Sequence, residues 1–325
     1  MKRIAFLTSG GDSPGMNACI RAIVKACLFH EITPYAISNG YKGMIENQIE
    51  EFNYSHVNNI IQLGGTIIGT SRSEKFKEKK YRDVAISNLR DLNIDGLIVI
   101  GGDGTFTGAT VLSSEMNIPI IGIPGTIDND IYGTDHTIGF DTALNTIISA
   151  VDKIRDTATS HHRIFFIEVM GRHSGYLALN AAIASGAESV LIPEHITNIE
   201  ELARQIKIQN KGERSSIVIV AEGDDSGGSL EIMKKVKPFL PDYDFKSTVL
   251  GHIQRGGSPS AFDRILATKM GVYAVDLLKN NKTKLMIGVK GDILHTILIE
   301  KGIKFKNDPL NSDKFDLLKK MLTTN

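Results

Sequence analysis

The run Pro124-Gly125-Thr126-Ile127-Asp128-Asn129-Asp130 places two carboxylates and a hydroxyl in a tight turn directly after an apolar stretch. A carboxylate so placed can take the proton of an attacking alcohol, and Asp128 is the candidate general base. In an extended segment Asp128 and Asp130 point the same way and raise each other's proton affinity. An Asx turn would explain one such residue, but three beside Thr and after Pro-Gly exceed what a turn requires. Upstream, Ile98-Val99-Ile100 runs into Gly101-Gly102-Asp103-Gly104-Thr105. Bare glycine amides can approach phosphate there, while Asp103 offers an oxygen to magnesium or, alternatively, caps the next helix. The first turn suits a sugar acceptor and the second a nucleotide.

A third glycine loop, Gly10-Gly11-Asp12-Ser13-Pro14-Gly15, lies between a strand and an amphipathic helix beginning near Met16. Its amides and the helix N-terminus form an anion site or an ordinary strand-to-helix turn. Arg163, Met170-Gly171-Arg172 and His252-Ile253-Gln254-Arg255-Gly256-Gly257 put cations at or beyond strand ends, where a guanidinium can grip phosphate through two bonds. His161 and His162 have no metal spacing, and Lys75 to Lys80 and Lys234 to Lys237 read as solvated faces.

Short β-branched runs must carry these loops: Ile4 to Thr8, Tyr35 to Ser38, Gly96 to Ile100, Ile118 to Ile123, Ile164 to Val169, Val190 to Ile192 and Ile217 to Ala221. Between them, Leu144, Ile147, Ile148, Val151 and Ile154 fall on one face of a helix expected from about Gly139 to Ala158. Strands alternating with helices predict an α/β fold, doubly wound, with mainly parallel sheets flanked by helices in two stacked Rossmann-like domains. Ligands collect at the carboxyl ends of such strands, so the three glycine loops line one crevice if their strands are neighbours. The expected domains are 1–138 plus about 253–304, binding nucleotide, and 139–252 plus about 305–325, binding sugar phosphate.

At 325 residues the chain exceeds one ordinary core. Lys plus Arg equals Asp plus Glu at 37 each, so no global field favours nucleic acid or an anionic membrane. Cys19 and Cys27 share one expected helix, about 12 Å apart at ~1.5 Å rise per residue, too far for a disulfide. Reduced thiols, the short apolar run Ile4 to Leu7, and the lack of any window of ~18 apolar residues lead to the expectation of a cytoplasmic protein without a membrane span.

Several motifs, in order, make the chain resemble the bacterial ATP-dependent 6-phosphofructokinases over nearly its whole length. They are Gly10-Gly11-Asp12, Gly-Gly-Asp-Gly at 101 to 104, Pro-Gly-Thr-Ile-Asp-Asn-Asp at 124 to 130, Met-Gly-Arg at 170 to 172 and Gly-His-Ile-Gln-Arg-Gly-Gly at 251 to 257. The resemblance implies transfer of the γ-phosphate of ATP to the 1-hydroxyl of fructose 6-phosphate, the committed step of glycolysis. It implies that Gly11, Tyr41, Arg72, Ser73, Gly102, Asp103, Gly104 and Thr105 surround ATP, with Asp103 on Mg2+. Thr126, Ile127, Asp128, Met170, Gly171, Arg172 and Glu222 would hold the sugar, and His252 and Arg255 its phosphate. Arg163 and Lys246 would reach a neighbouring subunit in a homo-oligomer, in this family usually a tetramer. The catalytic set would be Asp128, Thr126, Arg72, Arg172 and the Gly11 amide.

Pyrophosphate-using relatives carry Asp where this chain has Gly104 and Lys where it has Gly125, so ATP is the expected donor. Lys246 stands where the family usually has Arg. An allosteric effector site for ADP or phosphoenolpyruvate is matched by Arg21, Arg155, Gly186, Glu188, Lys211 and Arg214. It has Lys25 and Tyr54 for Arg, Asn59 for Asp, Glu213 for Lys and Ser215 for His, which predicts weak, altered or absent allostery. The Gly-Gly-Asp-Gly-Thr motif alone also occurs in NAD kinases and lipid kinases. A pyrophosphate-dependent enzyme is the nearest rival, and a sugar-phosphate-binding regulator without catalysis is the other.

Overall fold

Near-continuous apolar runs such as Gly96-Leu97-Ile98-Val99-Ile100-Gly101 are buried along their whole length, as strands covered on both faces must be. A computed structural model describes residues 1–209, 215–311 and 313–322. Its strands are β1 (Arg3–Ser9), β2 (Thr33–Ile37), β3 (Ile49–Glu51), β4 (Gly96–Gly101), β5 (Ile120–Pro124), β6 (Ile164–Val169), β7 (Ser189–Leu191), β8 (Ser216–Ala221), β9 (Phe245–Val249), β10 (Leu285–Lys290) and β11 (Ile293–Leu298). The chain divides into two compact units. One comprises Met1–Ile127, Ile131–Thr142 and Arg255–Asn307, the other Asp128–Asp130, Ala143–Gln254 and Asp308–Asn325.

In the first unit the described residues form a seven-stranded sheet in the order β11-β10-β5-β4-β1-β2-β3. It is parallel from β10 to β2, with β11 and β3 antiparallel at the two edges. The strands β1, β4 and β5 are neighbours, so the three glycine-ended strands do lie side by side. Period-two alternation sends Ile4, Phe6, Ile98, Ile100, Ile121 and Ile123 to one face and Ala5, Leu7, Leu97, Val99 and Ile120 to the other. The first face is covered by α1 (Met16–Phe29) and the helix at Ala261–Lys279, which touch where a Cβ on Gly271 would stand 2.8 Å from the Cys19 carbonyl oxygen. The second face is covered by α2 (Gly40–Ile45), α3 (Lys79–Asp91) and α4 (Asp103–Glu115).

In the second unit the described residues form a four-stranded, wholly parallel sheet in the order β7-β8-β6-β9. The chain enters it through α5 (Phe140–His161), and α6 (Tyr176–Ser185), α7 (Ile199–Gln209) and α8 (Ser229–Val236) follow its strands. The helix Ala261–Lys279 is α9; α10 (Ile299–Lys304) and α11 (Asp313–Leu322) complete the order. No helix of the described residues is long and apolar enough to cross a membrane. Cys19 and Cys27 are both buried in α1, and burial pushes the Cys27 thiol up to about 12.

Candidate active site

The first unit carries the glycine loops expected to meet phosphate. Gly10 (φ 88°) and Gly15 (φ 106°) take left-handed conformations that the turn from β1 into α1 requires, and Gly15 caps α1 without a side-chain bond. A Cβ on Gly11 would stand 2.2 Å from Arg255 Nη1, because that guanidinium lies over the loop. It donates to the Asp12 carbonyl at 3.2 Å and sits 3.9 Å from Asp12 Oδ1. Arg255 therefore attends the glycine loop in this structure, and His252, expected beside it on the sugar phosphate, is an exposed residue of the other unit.

At the end of β4, Gly102 is the cap of α4 and Asp103 its first residue, so Asp103 is not the N-cap. The Asp103 side chain is 37 % exposed at the positive end of the helix, 3.7 Å from Lys306 Nζ. No group of three or more His, Cys, Asp or Glu among the described residues could hold a metal by itself. One accessible carboxylate is nonetheless the donor set magnesium takes when nucleotide phosphates and water supply the rest, so Asp103 fits that ion. Gly104 is open: a Cβ there would meet nothing within 4 Å.

Two residues expected around ATP are committed inside the fold. The Tyr41 hydroxyl donates to the Thr105 carbonyl at 2.5 Å and its ring stacks on Phe76 at 4.1 Å, with burial raising the phenol well above its usual range. The Thr105 hydroxyl donates to the Ser9 carbonyl at 2.9 Å, tying α4 to the end of β1. Arg72 is exposed and Ser73 half-buried in the loop before α3.

The second unit carries the acid turn and the cations after β6. The turn read from the sequence is present and the segment is not extended: the chain bends at Ile127 and Asp128, and Asn129 takes φ 52°. The same-face argument for Asp128 and Asp130 therefore fails, since it needs the two-residue period of a strand. Asp128 is nevertheless distinct, its side chain 5 % exposed and its Oδ2 3.7 Å from Arg172 Nε. Gly171 (φ 139°) and Arg172 (φ 54°) turn the chain sharply, and a Cβ on Gly171 would strike the Ser174 carbonyl oxygen at 2.4 Å. The turn is pinned by Arg172 N donating to Glu222 Oε1 at 2.8 Å, Met170 N to Gln254 Oε1 at 3.0 Å and Ser174 Oγ to the Asp128 carbonyl at 3.2 Å. Arg163 and Lys246 share one carboxylate, Asp244, at 2.5 Å and 3.1 Å, and the two cations hold that carboxyl below its usual range, Arg163 foremost.

The family described as phosphofructokinase matches residues 3–278 of the chain. The chain belongs to the phosphofructokinase family. Among its phosphofructokinase relatives, the ATP-dependent 6-phosphofructokinase 2 of Bacteroides thetaiotaomicron is 50 % identical over 322 residues, 99 % of this chain and 98 % of that protein. The ATP-dependent 6-phosphofructokinase of Bacillus subtilis is 52 % identical over 295 residues, covering 90 % of this chain and 91 % of its own. The phosphofructokinase structure from Saccharomyces cerevisiae superimposes with a TM-score of 0.88 at 36 % identity over 94 % of this chain, which spans 45 % of that longer one.

The positions expected to hold an effector fall in both units. In the first, Arg21 and Lys25 lie on α1, and Lys25 Nζ sits 5.7 Å over the ring of Tyr54. In the second, Arg155 is engaged by the protein itself, 3.1 Å from Glu188 Oε1 and donating at 3.0 Å to the Ser185 and Gly186 carbonyls. Lys211, Glu213 and Arg214 lie outside the described residues. Reading the sequence missed Gln254, Asp244, Lys306 and Asp263 as supporting residues. Gln254 sits within the quoted 251–257 motif, whereas nothing in the sequence signals the long-range partners of the other three.

Proposed function

We propose that the chain transfers the γ-phosphate of ATP to the 1-hydroxyl of D-fructose 6-phosphate, giving fructose 1,6-bisphosphate and ADP. The observation that carries this reading is the buried Asp128 carboxylate beside Arg172, in a turn held by Ser174, Glu222 and Gln254. In this reading Asp128 accepts the proton of the 1-hydroxyl as that oxygen attacks, and Thr126 orients the acceptor. Arg72, Arg172 and the Gly11 amide meet charge on the transferring group, since phosphoryl transfer is catalysed chiefly by positioning and electrostatics. Magnesium bound with the nucleotide neutralises phosphate charge, and Asp103 would hold it.

Met170, Gly171, Arg172 and Glu222 bind the sugar, and His252 and Arg255 its phosphate. The first unit binds nucleotide and the second the sugar. Arg163 and Lys246 serve a neighbouring subunit of a cytoplasmic homotetramer. A coupled assay with magnesium and fructose 6-phosphate, run with ATP and with pyrophosphate as sole donors, tests the reading. Sugar-dependent ADP formation supports it, and turnover with pyrophosphate alone overturns the donor.

Lys246 keeps charge but lacks the guanidinium fork. Lys246→Arg is expected to lower the KM for fructose 6-phosphate about threefold to tenfold, the worth of one improved charge-assisted bond. An unchanged or raised KM counts against a phosphate role. At the effector positions Arg155 is already bonded by Glu188 and two carbonyls, and Tyr54, Glu213 and Ser215 stand where the family carries cations or His, which weakens the site for an anion. Phosphoenolpyruvate is therefore expected to give weak inhibition, and a strongly sigmoidal titration would contradict this.

A further inference from the structure

Asp263, at the head of α9, is a fully buried carboxylate that no step above uses. It accepts from Gly139 N at 2.9 Å, Thr142 N at 2.8 Å and Thr142 Oγ1 at 2.5 Å, so both its oxygens are spent on the turn leading into α5. That turn in turn holds the acceptor segment. Ile138 N donates to the Pro124 carbonyl at 3.0 Å, Thr137 Oγ1 donates to the Thr126 carbonyl, and Gly125 bridges Ile138. The same turn backs the glycine loop, since a Cβ on Gly139 would stand 2.6 Å from Ser13 Cβ and one on Gly15 2.7 Å from Ile138 Cγ2.

We propose that Asp263 is a positioning residue for phosphoryl transfer, fixing through the 137–142 turn both Thr126, two residues before the base, and the glycine loop. The inference rests on reading 124–130 as the acceptor turn. A misplacement of about 1 Å at such a distance from the chemistry can cost about a hundredfold in rate.

Burial pushes the Asp263 carboxyl up to about 6, against the Thr142 and Gly139 donors, which favour its ionised form. The charged group that acts on it is Asp141 at the head of α5, which also favours the proton and accepts from Ser260 Oγ. Protonation leaves a weaker acceptor for Gly139 and Thr142, so kcat falls as pH falls through about 6. Stability moves oppositely. The folded value near 6 lies above the ordinary 3.8, so the folded chain holds this proton more tightly than the unfolded one. This group's stabilisation is fully present below about 3.8 and is lost as pH rises through about 6. An acid fall in kcat that arises here is thus not a fall in folding.

The test measures kcat and KM for wild type, Asp263→Asn and Thr142→Val with ATP and fructose 6-phosphate across neutral and mildly acid pH, with binding of a fluorescent ATP analogue alongside. Asp263→Asn is expected to lower kcat about tenfold to a hundredfold with the analogue's affinity within about twofold. Thr142→Val removes a donor that favours the carboxylate, so the acid limb of its kcat profile is expected to move to higher pH. Wild-type turnover with unchanged kcat in Asp263→Asn, or a Thr142→Val profile that superimposes on wild type, overturns the proposal. If Asp263→Asn does not fold, the Thr142→Val limb decides alone. A wild type that makes no ADP with the sugar defeats the kinase reading instead.

Discussion

Asp128→Asn is expected to lower kcat about a hundredfold or more while ATP affinity stays within about twofold. Asn matches Asp in shape and can still meet Arg172, but it cannot take a proton from the attacking hydroxyl. The substitution is gentle on the fold. The bond from Ser174 Oγ to the residue 128 carbonyl does not depend on the residue 128 side chain, and the Arg172 partner is half in solvent, where an ion pair contributes about 1 kcal/mol or less. Nucleotide affinity is the internal control, since Asp103, Gly104 and Gly11 belong to the first unit and Asp128 to the second. Steady-state kinetics with titration of a fluorescent nucleotide checks it, and a kcat within tenfold of wild type would remove Asp128 from the role of base.

Gly104→Asp is expected to cut ATP-dependent turnover about a hundredfold with no loss of thermal stability. The second half follows from space and field: a Cβ there meets nothing within 4 Å, and an acid in the first turn of α4 suits the helix dipole. The first half follows from charge. A carboxylate about 4 Å from a phosphate oxygen repels it by about 4 kcal/mol at an effective dielectric of about 20. Even halved by solvent, that exceeds a decade in affinity, and the side chain also fills room the α-phosphate needs. Gly125→Lys is a poorer single test, because its Cβ would stand 3.1 Å from Ile100 Cγ2 and 3.2 Å from Met16 Cε. A thermal melt beside ATP kinetics decides the matter, and full ATP turnover in a stable Gly104→Asp would refute the donor argument.

The glycine loops were legible because each breaks an apolar run, and their adjacency follows from β1, β4 and β5 being neighbours. Strand β10 escaped notice because Gly288 interrupts Leu285 to Lys290; the glycine is there because the Gly133 carbonyl oxygen comes within 2.1 Å of where a Cβ would be. Edge strand β9 reads as polar, Phe-Lys-Ser-Thr-Val, and β3 spans only three residues. The turn at 124–130 was legible, and Asn129 is of a type enriched at positive φ, whereas the left-handed Arg172 was invisible because Arg carries no such mark. Asp263 could not be read either: it lies in an ordinary helix, and its partners at Gly139 and Thr142 are more than a hundred residues earlier.

The interleaving of the two units also constrains how the chain can be made. The first unit's sheet lacks the partner of β5 until β10 has been synthesised, and α1 lacks its cover until α9 has. On a ribosome that has passed residue 142 but not 255, β5 therefore presents a bare strand edge and α1 an uncovered apolar face. Maturation of the first unit waits for nearly the last tenth of translation, and prematurely ended chains are left as sticky fragments for chaperones or proteases to claim.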